Sequence, residues 1–189
     1  MRFTRALVVV AVVVLASSGA RAASIGIFST PDCSSCNLVI PPGESRTLYI
    51  KVRSGSLRWS GAEFRVVGLP GGWAASSTPN PAALVVMGDP FGNRANVAGF
   101  QEAQSGNCTL LYTVEITATS SENDVVLRVA AGDPPSNPEY DSPLLVPAAD
   151  IPCFCNYRVA GGALFINSGT ECTVSVVPST WSQVKQLYD

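Results

Sequence analysis

The sequence predicts an all-β fold: an antiparallel β-sandwich followed by a short C-terminal helix. Three observations predict it. Apolar and polar residues alternate with period two in several short segments, the mark of strands covered on one side. The 189 residues include 16 glycines and 14 prolines, which punctuate the chain too often for a long helix before residue 178. Six cysteines all follow an N-terminal apolar run, which suits a disulfide-stapled exported chain.

Residues 1–22 read as a secretory signal. Arg2 and Arg5 give a positive start, and Ala6 to Ala16 is an apolar run of 11 residues, shorter than the ~20 residues of a membrane span. Ala20-Arg21-Ala22 is a small-x-small cleavage pattern, placing the cut before Ala23. The expected location is therefore secreted, extracellular or periplasmic, with no membrane insertion after cleavage. Losing Arg2, Arg5 and Arg21 from 12 basic residues leaves nine against 14 acidic ones, a net charge of −5. That mild acidity disfavours nucleic acid and anionic membrane surfaces as partners.

The expected sandwich spans 23–178 as one domain. Ser45 to Arg53 alternates cleanly, with Leu48, Ile50 and Val52 on one face and Thr47, Tyr49, Lys51 and Arg53 on the other. Gly61 to Val67 turns Ala62, Phe64 and Val66 inward and Glu63 and Arg65 outward. Cys108 to Ala118 sets Cys108, Leu110, Tyr112, Val114 and Ile116 on a common face. Val125–Val129, Ala163–Asn167 and Cys172–Val176 are shorter strands of the same kind. Pro41-Pro42-Gly43, Pro70-Gly71-Gly72, Pro79-Asn80-Pro81, Pro134-Pro135 and Gly161-Gly162 read as turns between them. In the tail, 179–189, Ser179 or Thr180 can cap a helix whose Trp181, Val184 and Tyr188 form one stripe. That stripe suits docking on an open edge of the sandwich, or recognition by a partner or sorting machinery.

Cys33, Cys36, Cys108, Cys153, Cys155 and Cys172 read as disulfide cysteines. In extended backbone Cys153 and Cys155 lie roughly 6.6–6.8 Å apart, so each suits a different partner. Cys155 and Cys172, 17 residues apart, make the best hairpin staple, contributing roughly 3 kcal/mol. Cys33 and Cys36 either close a small turn or reach Cys108 and Cys153 separately. A redox site needs a helix after the first cysteine, and Asn37-Leu38-Val39-Ile40-Pro41-Pro42 supplies none. A four-thiolate zinc site is rare in oxidising compartments.

Several segments are similar to uncharacterised secreted single-domain proteins of bacteria. They are Gly61-Ala62-Glu63-Phe64-Arg65, Ser105-Gly106-Asn107-Cys108 leading to Leu111-Tyr112, Pro134-Pro135-Ser136-Asn137-Pro138, and Gly161-Gly162 before Phe165-Ile166-Asn167. Cys172-Thr173-Val174 and the ending Thr180-Trp181, Val184-Lys185, Leu187-Tyr188 belong to the same set. More distantly, Pro42-Gly43-Glu44 before a strand and the Gly61-to-Phe64 strand resemble cohesin modules, sandwiches of the carbohydrate-binding type. The resemblance implies an Ig-like or cohesin-like sandwich, with jelly-roll connectivity a variant, and a binding role. No cohesin interface motif occurs in this chain, and its cysteines depart from the cohesin pattern.

Catalytic chemistry has little to stand on. Without histidine there is no Ser-His-Asp triad, no Cys-His pair and no imidazole metal site. Neither a Gly-x-Ser-x-Gly elbow nor a phosphate loop is present. Glu63 and Glu115 alternate outward, while Asp89, Asp124, Asp133 and Asp141 fall in turns, so no carboxylate pair stands out. The sequence assigns no catalytic residue, no metal and no cofactor; Asp89, Asn93 and Asn96 offer a weak calcium site with a single carboxylate, and Glu122-Asn123-Asp124 stands on the same footing. Sugar binding needs exposed aromatic rings. Trp73 suits a core plug, Tyr140 lies near a turn, and Trp59 in Leu57-Arg58-Trp59-Ser60 is the candidate ligand-binding ring. The expected function is a non-catalytic interaction or adhesion module for an extracellular or envelope protein. Carbohydrate binding is the alternative, with a glycan as partner.

Overall fold

The computed structural model describes residues 23–92, 96–136, 138–151 and 156–169. The expected signal segment, the helical tail, Cys153, Cys155 and the strand Cys172–Val176 lie outside the described residues.

The described residues form thirteen strands and no helix. They are β1 (Ser24–Phe28), β2 (Asn37–Leu38), β3 (Ser45–Arg53), β4 (Gly55–Val67), β5 (Ala74–Pro79), β6 (Ala83–Met87), β7 (Asn96–Gly106), β8 (Thr109–Thr117), β9 (Val125–Ala130), β10 (Leu144–Pro147), β11 (Tyr157–Arg158), β12 (Ala160–Gly161) and β13 (Ala163–Ile166). One sheet has the order β12-β1-β3-β8-β5. The other runs β11-β10-β4-β9-β13-β2 and carries β7 on β4 and β6 on β7. Pairing is antiparallel except for two short contacts, β1 with β12 and β13 with β2. Each of these joins strands remote in sequence where the chain closes the two layers.

The core lies between the sheets. Ile25, Ile27, Leu48, Ile50 and Val52 meet Ala62, Phe64, Val66, Leu127, Leu164 and Ile166 in one buried cluster. Phe64 and Tyr112 bridge the layers edge to face, with ring centroids 6.1 Å apart, a favoured aromatic geometry. Strand β3 has the bounds its alternation predicts. The turn before it places Gly43 at φ 83°, and its N–H donates to the Ala118 carbonyl.

Two bulges reset the phase of the alternation. In β8 the register shifts opposite Ile50 and Lys51, so Leu111 is fully buried and Leu110, expected inside, is only partly covered. In β4 both neighbouring strands shift register between Trp59 and Gly61. Counting back by twos from Phe64 turns Trp59 outward; the bulge turns it inward.

Gly161-Gly162 reads from sequence as a turn, but its backbone threads between the sheets. Gly162 donates to Ile25 O and accepts from Val129 N–H, at 2.8 and 3.0 Å. A β-carbon on Gly161 would lie 1.9 Å from the Val129 carbonyl oxygen. Gly161→Ala is therefore expected to destabilise the protein by about 1–3 kcal/mol, measured by chemical denaturation. Gly71→Ala, which meets nothing within 4 Å, should leave stability unchanged.

Candidate interaction surface

Three sequence-predicted positions take places the alternation does not foresee. The expectation that Trp59 offers an exposed ring is corrected: it is 0% exposed. Its Nε1 donates to Ser54 Oγ at 3.2 Å, and its ring stands edge-on to Phe100 with centroids 5.5 Å apart. Glu63, expected outward, is buried because the segment after β9 folds over it. There Glu63 Oε1 accepts the Ser136 N–H at 2.8 Å. Lys51, also expected outward, is buried beneath the 29–36 loop, where its Nζ donates to the Pro31 carbonyl.

A disulfide between Cys33 and Cys108, with Cα atoms 6.1 Å apart, clamps that loop over β3. Cys36 is disulfide-bonded as well. Lys51 Nζ lies 3.5 Å from Cys108 Sγ. Burial pushes the lysine below its usual range, against the opposing pull of the Asp32 carboxylate. Asp32 itself is lowered to about 2, first by the Ser34 hydroxyl and then by that of Thr30.

Several exposed carboxylates are paired one at a time. Asp133 pairs with Arg65 at 2.7 Å, Asp141 with Arg158 at 2.5 Å, and Asp150 with Arg58. Arg158 also lies over the Tyr140 ring, 5.5 Å from its centroid. Asp89 Oδ1 accepts the Phe91 N–H at 2.7 Å, shaping a turn. Its expected calcium co-ligands, Asn93 and Asn96, lie outside the described residues or have side chains that do. Among the described residues no three of His, Cys, Asp and Glu converge. Trp73 is buried as expected, donating to the Ser120 carbonyl at 3.2 Å.

The surface feature that stands apart is one sequence reasoning missed. Strand β6 (Ala83–Met87) exposes four consecutive apolar side chains: Leu84 is 65% accessible, Val85 51%, Val86 39% and Met87 57%. In a strand, neighbours point to opposite faces, so β6 is open on both. It pairs with β7 alone among the described strands. Both ends are nonetheless fixed. At the start, Asn80 N–H donates to Leu111 O and Asn80 Nδ2 to Leu110 O, each at 2.8 Å. Asn80 Oδ1 in turn accepts the Ala82 N–H at 3.0 Å. Just past the far end, Asp89 shapes its turn and Pro90 O accepts the Val66 N–H at 2.6 Å. The result is a short apolar ribbon held in place without being covered. Val39 and Val146, the other exposed large apolar residues among those described, stand elsewhere in the chain.

No family model and no curated protein matches the sequence. Solved structures do match the fold. The cohesin module of a family 33 glycoside hydrolase from Clostridium perfringens superposes with a TM-score of 0.51 at 12% identity, covering 78% of this chain and 98% of that one. The third ScaB cohesin of R. flavefaciens, solved with a group 1 dockerin, gives 0.49 at 12% identity over 77% and 95%. The sixth cohesin of Acetivibrio cellulolyticus scaffoldin B, solved with a Cel5 dockerin mutant, gives 0.49 at 13% over 78% and 99%. The likeness is one of fold: this chain folds as a cohesin-like β-sandwich.

Proposed function

We propose that this protein is an exported, non-catalytic interaction module that binds a protein partner through the surface at β6. The observation that carries the reading is the ribbon Leu84–Met87, exposed on both faces yet anchored at each end. A contiguous apolar patch of this kind marks an interaction site on a folded protein. Its rigidity lowers the ordering cost of binding. The scattered, individually paired carboxylates and the disulfide-clamped frame support a binding role in an oxidising compartment. The carbohydrate alternative loses its candidate platform with the burial of Trp59.

The test is a pull-down from the envelope and extracellular fraction of the producing cell, parent against Leu84→Lys/Val86→Lys. The charged variant should retain at least about tenfold less of any specific protein, because burying a lysine without a partner is strongly unfavourable. Its thermal midpoint should match the parent, since both side chains are exposed. Equal retention by the variant, or binding to a glycan array with no protein retained, would contradict the reading.

A further inference from the structure

The Cys33–Cys108 bridge has a buried cation at one end. Lys51 Nζ lies 3.5 Å from Cys108 Sγ, and Lys51 is only 7% exposed. Strand pairing, and not the bridge, holds the two together. Lys51 of β3 pairs with Leu110 of β8 and Val52 with Thr109, so Cys108 is the next residue out along the same ladder. Cys33 belongs instead to the 29–36 loop. That loop also carries two groups that disfavour negative charge on Cys108. They are the Pro31 carbonyl, 3.5 Å from Cys108 Sγ, and the Asp32 carboxylate, which acts on Lys51. The loop's Thr30–Ser34 and Asp32–Ser34 hydrogen bonds are internal, so it can swing outward as a unit without losing them. From β3 itself, Tyr49 offers the ammonium its ring, 5.6 Å away.

We infer that Cys33–Cys108 is a site of thiol–disulfide exchange, a clamp that an external dithiol opens and that Lys51 makes easier to reduce. The inference is independent of the surface at β6. One thiolate of the dithiol attacks one sulfur of the bridge, and the S–S electron pair leaves on the other. The second thiol then closes the dithiol into its own disulfide, so that it gives up two electrons and two protons in all. Cys33 takes one proton. The other goes to solvent, because Cys108 stays a thiolate beside the Lys51 ammonium. A neighbouring cation lowers a cysteine thiol from about 8.5 to about 7.5 or below, and stabilising the reduced form makes a disulfide easier to reduce. In the closed state burial holds Lys51 below its usual range. A thiolate at 3.5 Å would give that ammonium a full opposing charge in place of a neutral sulfur. Once open, the loop carries the Pro31 carbonyl and the Asp32 carboxylate away, and Cys108 and Lys51 remain together on their paired strands.

The experiment equilibrates the mature chain at about pH 8 with mixtures of oxidised and reduced dithiothreitol, and reads Cys33 and Cys108 by differential alkylation and peptide mass. Lys51→Met keeps most of the side chain's bulk and removes its charge. It should make this bridge at least about threefold harder to reduce, about 15 mV more negative at about 30 mV per decade for a two-electron couple. Lys51→Arg, which keeps the charge, should stay close to the parent. A second readout separates charge from packing. In Cys33→Ser the Cys108 thiol is free, and its alkylation rate against pH should have its midpoint at about 7.5 or below. Adding Lys51→Met should return that midpoint to about 8.5. A bridge that stays closed in fully reduced dithiothreitol overturns the inference. So does an exchange equilibrium indifferent to Lys51→Met. So does a shifted equilibrium with the Cys108 midpoint unmoved, which would leave Lys51 a packing role alone.

Discussion

Trp59→Ala is expected to lower stability by about 3–5 kcal/mol, the range for emptying a large aromatic site in a packed core. Three things are lost together. The indole's buried area goes, its edge-to-face contact with Phe100 goes, and Ser54 Oγ loses the Nε1 donor. The bulge that turns Trp59 inward also draws Phe100 inside, so removing one ring leaves the other without its neighbour. Trp59→Phe should recover roughly half of the loss by refilling most of the volume without the hydrogen bond. Urea denaturation of the three proteins measures this. A platform for sugar rings would behave in the opposite way, with stability intact and glycan binding lost.

Cys33→Ser/Cys108→Ser is expected to cost about 4 kcal/mol. The bridge spans 75 residues, and closing a loop of that length restricts the unfolded chain by about that much. A native-state effect adds to it. The bridge ties the 29–36 loop over β3, and that loop's Pro31 carbonyl receives the buried Lys51 ammonium. Opening the loop leaves the lysine head without its acceptor, which is unfavourable while it remains buried. Denaturation of the double variant, with the other cysteines kept oxidised, measures the loss. A change below about 1 kcal/mol would mean that the loop stays closed without its covalent tie.

The strands that sequence reasoning found best were those with unbroken alternation. The bounds of Ser45–Arg53 are legible because Thr47 to Arg53 alternates without interruption and no bulge precedes Ile50. Trp59 and Leu110 went astray for a single physical cause. One extra residue in a strand flips the face of everything beyond it, and nothing local in the sequence announces the bulge. Lys51 and Glu63 went astray for another. Alternation assigns a residue to a face of its own sheet, but a loop from elsewhere can cover that face, as 29–36 covers Lys51 and the Ser136 segment covers Glu63. The candidate surface was illegible for a third reason. Ala83–Met87 is a short continuous apolar run, which reads equally well as a buried strand or part of a buried helix. Only the strand order shows that this run ends a sheet and faces outward on both sides.

Amide hydrogen exchange on the mature chain, followed with and without its bound partner, measures most directly whether contact at β6 is what this molecule does. The account predicts that added protection centres on residues 83–87, while β5 and the Val39 segment exchange as before. Protection centred on any other element, with 83–87 unchanged, would contradict it.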